Sequence, residues 1–316
     1  MRRFARRDSW LVALGVLFVV LLVVTKAIRP TYGAFDLTSL AIAALPVALA
    51  AIAQAIVVIS GGIDLSVGPM MALTSVTAAS LMQDSSEEFA IVVVIAILAM
   101  GLVLGIVNGA LVVASRVPDI VVTLATSFMW AGAALLVLGT PGGAAADWFK
   151  DLSRGPFLVE WLPKAVVLLT VVTALIWVPV ARSKLGLSIY AIGSNRLAAF
   201  RSGVDVSRTR IAAYALTGVF SAAGGLALTM TTGIGTPIPG PYTLLSVGAI
   251  VLGGVSLAGG RGGIIGPIVA VFVLRLIRAD FTFLGVDPNF TTVIEGVIMV
   301  VVVMIGAFVT LRRRST

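Results

Sequence analysis

The sequence of 316 residues contains no cysteine and no histidine, and it has few charged residues. Without thiols and imidazoles the chain cannot form disulfide bridges, thiol nucleophiles, a histidine general base or zinc sites of the usual kind. We therefore expect no catalytic residue and no metal site, and the lack of histidine argues against an acyltransferase-type membrane enzyme. Asp, Glu, Lys and Arg make up 11% of the chain, against roughly 25% in a soluble domain.

The chain is instead rich in apolar residues. Hydrophobic residues make up 59% of the chain, and the mean hydropathy is +1.12. Because about 20 apolar residues cross a bilayer core, the sequence predicts an all-α, polytopic membrane protein with about ten transmembrane helices, some of them broken by glycine. We take residues 1–316 as one transmembrane domain. The apolar segments lie at about 10–24, 37–59, 67–83, 89–113, 120–140, 163–181, 210–232, 243–258, 264–278 and 291–311.

The positions of the basic residues predict the orientation. With the N-terminus in the cytoplasm, fifteen of the 22 Lys and Arg residues lie inside and seven outside, so the positive-inside rule predicts that both termini are cytoplasmic. The longest inner loop is about 182–209, and a polar segment at about 141–162 lies outside. Because anionic lipid headgroups attract juxtamembrane Lys and Arg, the lipid bilayer explains the net charge of +8. We expect no nucleic acid partner.

One polar break interrupts the early apolar sequence at 61–69, which reads GGIDLSVGP. Irregular backbone within a membrane is tolerated where it lines a cavity, so this break indicates a translocation path formed by Gly61, Gly62, Asp64, Ser66 and Gly68. An intramembrane carboxylate is a functional candidate. Alternatively, Asp64 is the N-cap of the next helix and accepts an N–H bond from residue 66 or 67; the two interpretations are compatible.

The second candidate charge is Glu295, near the start of the last apolar segment. A proton-coupled carrier needs a relay of such carboxylates, and two in the whole membrane region form a sparse one. Gly101, Gly105 and Gly109 recur every four residues beside Asn108. This spacing predicts a small-residue stripe for helix packing.

The glycine-rich stretch 259–263, GGRGG, lacks the spacing of a phosphate-binding P-loop. It predicts a membrane-dipping turn whose Arg261 reaches the cytoplasmic headgroups. In the long inner loop, Ser194 or Asn195 can cap a short helix in which Leu197 and Phe200 lie three residues apart. Such a helix, framed by arginines, would present its aromatic residue to a soluble partner. The alternative is a merely solvated basic loop.

Four stretches together resemble the ribose-type permease subunits of bacterial ABC sugar importers, in the branched-chain amino acid and monosaccharide permease superfamily. The resemblance extends from about residue 40 to 306. It rests on GGIDLSVG at 61–68, on the glycine stripe followed by Pro118 and 122–124, on 190–203, and on LGGVSLAGGRGGIIG at 252–266. The third stretch is similar to the A-x-G-x-N-x-x-A-A-x-x-x-G loop of the family.

The resemblance implies a permease that pairs with a second copy or a paralogue in the bacterial cytoplasmic (inner) membrane. A cytoplasmic ABC ATPase would bind ATP and Mg, and an extracytoplasmic sugar-binding protein would deliver substrate. The permease itself would hold no cofactor and would not be an enzyme. The residues that would form the ATPase-coupling segment are Asn195, Ala198, Ala199, Phe200, Arg201 and Gly203.

The implied substrate is a monosaccharide similar to ribose, xylose or galactose. One departure bears on it: many relatives carry acids where this chain has Tyr-Thr-Leu-Leu-Ser at 242–246, so the specificity of any one relative does not carry over. Nucleosides or branched-chain amino acids remain alternatives within the superfamily. A self-sufficient secondary carrier is a further alternative, against which the expected absence of charge pairs within the spans counts.

Overall fold

The computed structural model describes residues 2–312, and all regular elements in that range are helices. The all-α prediction is therefore confirmed. The helices are α1 (Arg2–Ile28), α2 (Ala34–Ile59), α3 (Val67–Met82), α4 (Glu87–Ser115), α5 (Asp119–Val137), α6 (Asp147–Asp151), α7 (Lys164–Ala181), α8 (Lys184–Ser194), α9 (Arg196–Arg201), α10 (Val206–Thr232), α11 (Tyr242–Leu252), α12 (Ile265–Phe283) and α13 (Pro288–Arg312).

Each of the ten apolar segments overlaps one of these helices, and α6, α8 and α9 lie in the two polar stretches. Within the described range, α1, α2, α4, α5, α7 and α10 are long and apolar enough to cross a bilayer. By contrast, α3 has 16 residues and α11 has 11. Each of these two short helices begins after an irregular segment. The protein is thus a multi-pass membrane protein with interrupted helices.

The centre of the fold is α2, whose residues are all buried from Ala44 to Ile59. A helix that is apolar on every side belongs in the interior of a large helical assembly, and α2 packs against α7, α10, α11 and α12. Its burial fixes the position of its C-terminal end. That end leads directly into the glycine-rich break.

Glycines set the spacing between α4 and α10. A Cβ atom on Gly101 would overlap Ala222, and one on Gly105 would overlap the carbonyl oxygen of Tyr214. A Cβ on Gly109 would lie 2.8 Å from Cα of Ile211. The predicted small-residue stripe therefore lies against α10, where it allows the two backbones to approach closely.

The segment 141–162 folds over one end of α3 and α10. Gly142 and Gly235 exchange two backbone hydrogen bonds of 3.0 and 2.8 Å, and the amide N–H of Ala144 donates to the carbonyl oxygen of Ala79. Phe149 on α6 is buried, whereas Trp161 is exposed. This segment therefore closes the bundle over the irregular chain that follows α10.

Candidate functional site

The break between α2 and α3 is built by a glycine and an aspartate. Gly61 has φ +88°, a left-handed conformation that favours glycine, and the N–H of Gly62 donates to the carbonyl oxygen of Val57 at 3.0 Å. Asp64 is fully buried, and its Oδ1 accepts from the N–H of Ser66 at 2.8 Å and from its hydroxyl at 2.6 Å. The residue at the N-cap position of α3 is Ser66. Asp64 thus holds the capping residue without being the N-cap itself.

A chain of buried side chains extends from this aspartate to two further helices. The amide of Asn108, on α4, donates to the hydroxyl oxygen of Ser66 at 2.7 Å, and the indole N–H of Trp130, on α5, donates to Oδ1 of Asn108 at 3.3 Å. The second carboxylate oxygen of Asp64 is buried without a hydrogen-bond partner among the described residues. Asn108 therefore ties the break to α4 and α5, a role that its position beside Gly109 did not reveal.

A second irregular segment, residues 233–241, leads from α10 into α11. The hydroxyl of Thr243 in the first turn of α11 accepts from the N–H of Gly68 at 3.0 Å and lies 3.4 Å from the carbonyl oxygen of Leu65, to which it can donate. The first turns of α3 and α11 therefore meet. Their hydroxyl and backbone groups add no net charge, and in this structure they bond one another across the contact.

The three glycine motifs meet at one point, which we call the glycine junction (Gly61, Gly193, Gly259 and Gly260). The N–H of Gly260 donates to the carbonyl oxygen of Ile59 at 2.8 Å. A Cβ on Gly259 would lie 2.8 Å from the carbonyl oxygen of Gly193 and 3.0 Å from Cα of Gly61. A Cβ on Gly193 would overlap the carbonyl oxygen of Ile59. Only glycine fits this packing.

Two side chains strengthen the connection between α8 and the turn that follows α11. The hydroxyl of Tyr190 donates to the carbonyl oxygen of Gly262 at 3.1 Å, and Ser194 Oγ donates to the carbonyl oxygen of Gly260 at 3.4 Å. Arg261 in this turn is exposed. The inner loop is therefore joined directly to the turn after α11 and, through the glycine junction, to the break after α2.

The short helix α9 follows directly from this junction. The side chain of Asn195 caps α9 by accepting from the N–H of Ala198 at 3.0 Å, and Gly203, with φ +84°, follows its last turn. Ala199 is 5% exposed and faces the protein, while Leu197 and Phe200 are 58% and 66% exposed. Ala198 and Arg201 are also exposed. The outward face of α9 is thus apolar at its centre and basic at its end.

An ionic cluster that the sequence analysis missed joins α5 to α10. Arg210 forms an ion pair with Asp119, and the hydroxyl of Tyr214 donates to the other carboxylate oxygen at 2.9 Å. A Cβ on Gly62 would lie 2.5 Å from that second oxygen. The first break therefore packs directly on this cluster. In the sequence, the indication of this cluster was an acid, Asp119, and a base, Arg210, at the starts of two apolar segments.

The carboxylate of Glu295 is also paired. Its Oε2 lies 3.0 Å from a guanidinium nitrogen of Arg278, so that α12 and α13 are joined by an ion pair. The expectation that no charge pair lies within the spans is therefore wrong for these two helices. Glu295 is occupied by this pair, which makes it a poor second member of a proton relay with Asp64.

Comparisons with known proteins identify the family of the chain. Residues 37–303 match the family described as Branched-chain amino acid transport system / permease component. The chain is 31% identical over 264 residues to the ribose import permease protein of Escherichia coli strain K12, covering 82% of this chain and 81% of the relative. It is 28% identical over 325 residues to the autoinducer 2 import system permease protein of Escherichia coli O9:H4, covering 98% and 95%. No solved structure matches.

Proposed function

The chain belongs to the family of branched-chain amino acid transport system permease components, and from that premise we propose that it is the membrane subunit of an ABC importer for a monosaccharide. The proposal of a neutral, sugar-like substrate rests on the contact between the first turns of α3 and α11. There the N–H of Gly68 and the hydroxyl of Thr243 lie beside the carbonyl oxygen of Leu65. Gly68 is buried and bonded to Thr243 in this structure, so these uncharged donors and acceptors would become available when the two turns separate. They suit a solute that needs hydrogen bonds and carries no charge.

The names of the relatives support a sugar-like substrate. One relative imports ribose and another imports autoinducer 2. The family description names branched-chain amino acids, so these and nucleosides are the alternatives that the substrate test must separate. The segment at 242–246, Tyr-Thr-Leu-Leu-Ser, contains no acid, which suits a neutral ligand.

We place the protein in the cytoplasmic (inner) membrane with ten spans and with both termini in the cytoplasm. The basic residues on the inner side support this orientation. The indole N–H of Trp10 donates to the carbonyl oxygen of Leu252 at 3.0 Å, so the start of the apolar part of α1 lies beside the end of α11, as the orientation requires. The segment that contains α6 then lies outside, and α8 and α9 lie inside.

A separate ATPase provides the energy in this proposal. It would bind ATP and Mg, while the permease binds no cofactor and catalyses no reaction. The outward face of α9, with Leu197 and Phe200, is the surface that it would contact. Because the glycine junction lies between α9, the break after α2 and the turn after α11, a rigid displacement of α8 and α9 would reach the break and that turn together.

The second membrane partner is another permease, either a copy of this chain or a paralogue. Large apolar side chains on α5 are exposed, including Phe128 at 73% and Leu136 at 90%. A lipid-facing surface and a permease interface share this composition. The α5 helix also carries Trp130 of the buried polar chain, so a partner packed on α5 would lie next to the path. An extracytoplasmic binding protein would deliver the sugar to the opposite face.

Substrate competition tests the proposal. The chain is expressed with its ATPase subunit and binding protein in a bacterial strain that lacks its own sugar importers, and uptake of labelled ribose, xylose and galactose is measured. We expect at least one sugar to accumulate, and unlabelled leucine or nucleosides to leave that uptake unchanged. Accumulation of leucine or a nucleoside without any sugar uptake would refute the sugar assignment. Cells with the permease gene deleted give the background.

A further inference from the structure

A basic cavity of about 410 Å³ lies where α4 ends and where α5, α9 and α10 begin. Its lining includes Val112, Arg116, Val117, Asp119, Arg196 and Arg210. Three arginines and one aspartate thus line the same concave site. The proposed transport path does not use this cavity.

The charges of the cavity do not cancel. Arg210 is paired with Asp119, and both side chains are largely buried. Arg116 and Arg196 are exposed and form no ion pair among the described residues. Two positive charges therefore remain available to a ligand. Arginine presents its N–H groups in a planar fork that binds phosphate oxygens in pairs.

The backbone at Arg116 is also unusual. This residue follows α4 with φ +59°, the left-handed conformation in which helices commonly end at glycine. A side chain in this region is disfavoured sterically. The chain nevertheless carries an arginine here, and this residue lines the cavity.

The cavity opens beside apolar surface. Val117, Ile120 and Val121 are exposed next to its basic lining, and both α4 and α5 are candidate membrane spans. A ligand in this position can place an anionic group among the arginines and apolar chains along the two helices. Free phosphate would use only the first of these features, and an acidic protein surface would not need the apolar rim.

We propose that this cavity binds the phosphate headgroup of an anionic phospholipid, with the phosphate held by Arg116 and Arg196 and the acyl chains packed along α4 and α5. Basic pockets between membrane helices bind lipid headgroups in this way. The site would anchor the start of α10 and the start of α9 to the membrane surface.

Lipid titration tests the site directly. The purified full chain in neutral detergent is titrated with dioctanoyl phosphatidylglycerol and, separately, with dioctanoyl phosphatidylcholine and with inorganic phosphate; bound molecules are counted by native mass spectrometry. We expect phosphatidylglycerol to bind more tightly than the other two. The double variant R116Q/R196Q should bind it roughly 30-fold more weakly, and the control R182Q/K184Q, which removes two charges that do not line the cavity, by less than about twofold.

Several outcomes would overturn the proposal. Equal weakening in both double variants would show a diffuse charge effect, and equal binding of phosphatidylcholine would remove the role of the phosphate charge. Binding of inorganic phosphate as tight as that of the lipid would identify a free anion as the ligand. Unchanged lipid binding in R116Q/R196Q with lost co-purification of the ATPase would identify an acidic protein partner.

Two further variants, R116K/R196K and R116Q, test the arginine site if R116Q/R196Q does not fold. The variant R116K/R196K retains both charges and loses the guanidinium fork. We expect it to fold and to bind phosphatidylglycerol with an affinity between those of the wild type and the glutamine variant. Wild-type affinity in R116K/R196K, together with wild-type affinity in the single variant R116Q, would refute the proposed arginine site.

Discussion

The amide N–H of Gly260 donates a 2.8 Å hydrogen bond to the carbonyl oxygen of Ile59. This bond joins the turn that follows α11 to the last residue of α2. Gly193, the penultimate residue of α8, packs against the same carbonyl group. The inner loop, the break after α2 and the turn after α11 therefore share one contact point, and a displacement of any one of the three requires the other two to move or the contact to open.

Replacement of Gly193 by alanine tests this junction. The new Cβ would overlap the carbonyl oxygen of Ile59, so α8 must shift away from α2. We expect the free energy of unfolding to fall by about 1–3 kcal/mol, the usual cost of overpacking, and ATP-driven uptake to fall by more than the loss of folded protein explains. Thermal unfolding and uptake in vesicles measure the two effects. Gly15→Ala is the control, because its Cβ meets no atom within 4 Å; equal behaviour of the two variants would contradict the account.

Variants of Asp64 distinguish the two roles that the sequence left open, a functional carboxylate in the membrane and a structural acceptor at the start of α3. The Asn side chain in Asp64→Asn keeps an oxygen that can accept from Ser66, and it replaces the carboxylate oxygen that has no partner among the described residues. We expect stability and uptake to be retained. Asp64→Ala leaves the N–H and the hydroxyl of Ser66 without this acceptor and should lower the free energy of unfolding by about 1–3 kcal/mol.

The measurements for Asp64 are thermal unfolding and substrate uptake in the assembled importer. If Asp64→Asn folds like the wild type and yet transports nothing, the negative charge itself takes part in transport. The structural interpretation would then be insufficient.

Phe200 on α9 tests the docking surface. Its side chain is 66% exposed, so Phe200→Asp should leave the melting temperature nearly unchanged and abolish both uptake and substrate-stimulated ATP hydrolysis. The control is Leu284→Asp, which also replaces an apolar side chain by a negative charge, at a residue that is 60% exposed after α12. Wild-type ATP hydrolysis in the Phe200 variant would remove α9 from the ATPase interface.

The ion pair between Asp119 and Arg210 should contribute measurably to stability. In Asp119→Asn, Arg210 loses its charged partner and Tyr214 bonds a weaker acceptor. We expect the free energy of unfolding to fall by about 1.5–3 kcal/mol. Asp205→Asn removes a carboxylate from an exposed pair with Arg208 while it retains an N-cap residue, and it should cost less than about 1 kcal/mol. A loss at Asp205 as large as that at Asp119 would contradict the buried role of the cluster.

The sequence predicts most of the helices because apolar runs of membrane length leave few other structures for the backbone. It predicts the helix ends less well. The apolar segment at 243–258 suggested one continuous span, whereas α11 ends at Leu252 because Gly254 adopts φ +80°. The apolar residues after Gly254 concealed this end, since the hydropathy of a residue does not report its backbone conformation.

The contacts of the candidate site were beyond prediction from one sequence. Thr243 and Gly68 are 175 residues apart, and Asp119 and Arg210 are 91 residues apart. Sequence spacing can place each residue on a helix or in a turn, and it contains no information on which turns meet. The glycine motifs at 61–62 and 259–260 were visible individually, and only tertiary packing shows that Gly193 lies between them.

The central claim is that ATP hydrolysis by a separate subunit drives uptake, and reconstitution in vesicles tests it most directly. The purified chain is placed in vesicles alone, with its ATPase subunit, and with both the ATPase and the binding protein, and accumulation of labelled sugar is followed with ATP or with an imposed ion gradient. The account predicts concentrative uptake only in the complete system and only with ATP. Accumulation driven by an ion gradient in vesicles that contain this chain alone would contradict it.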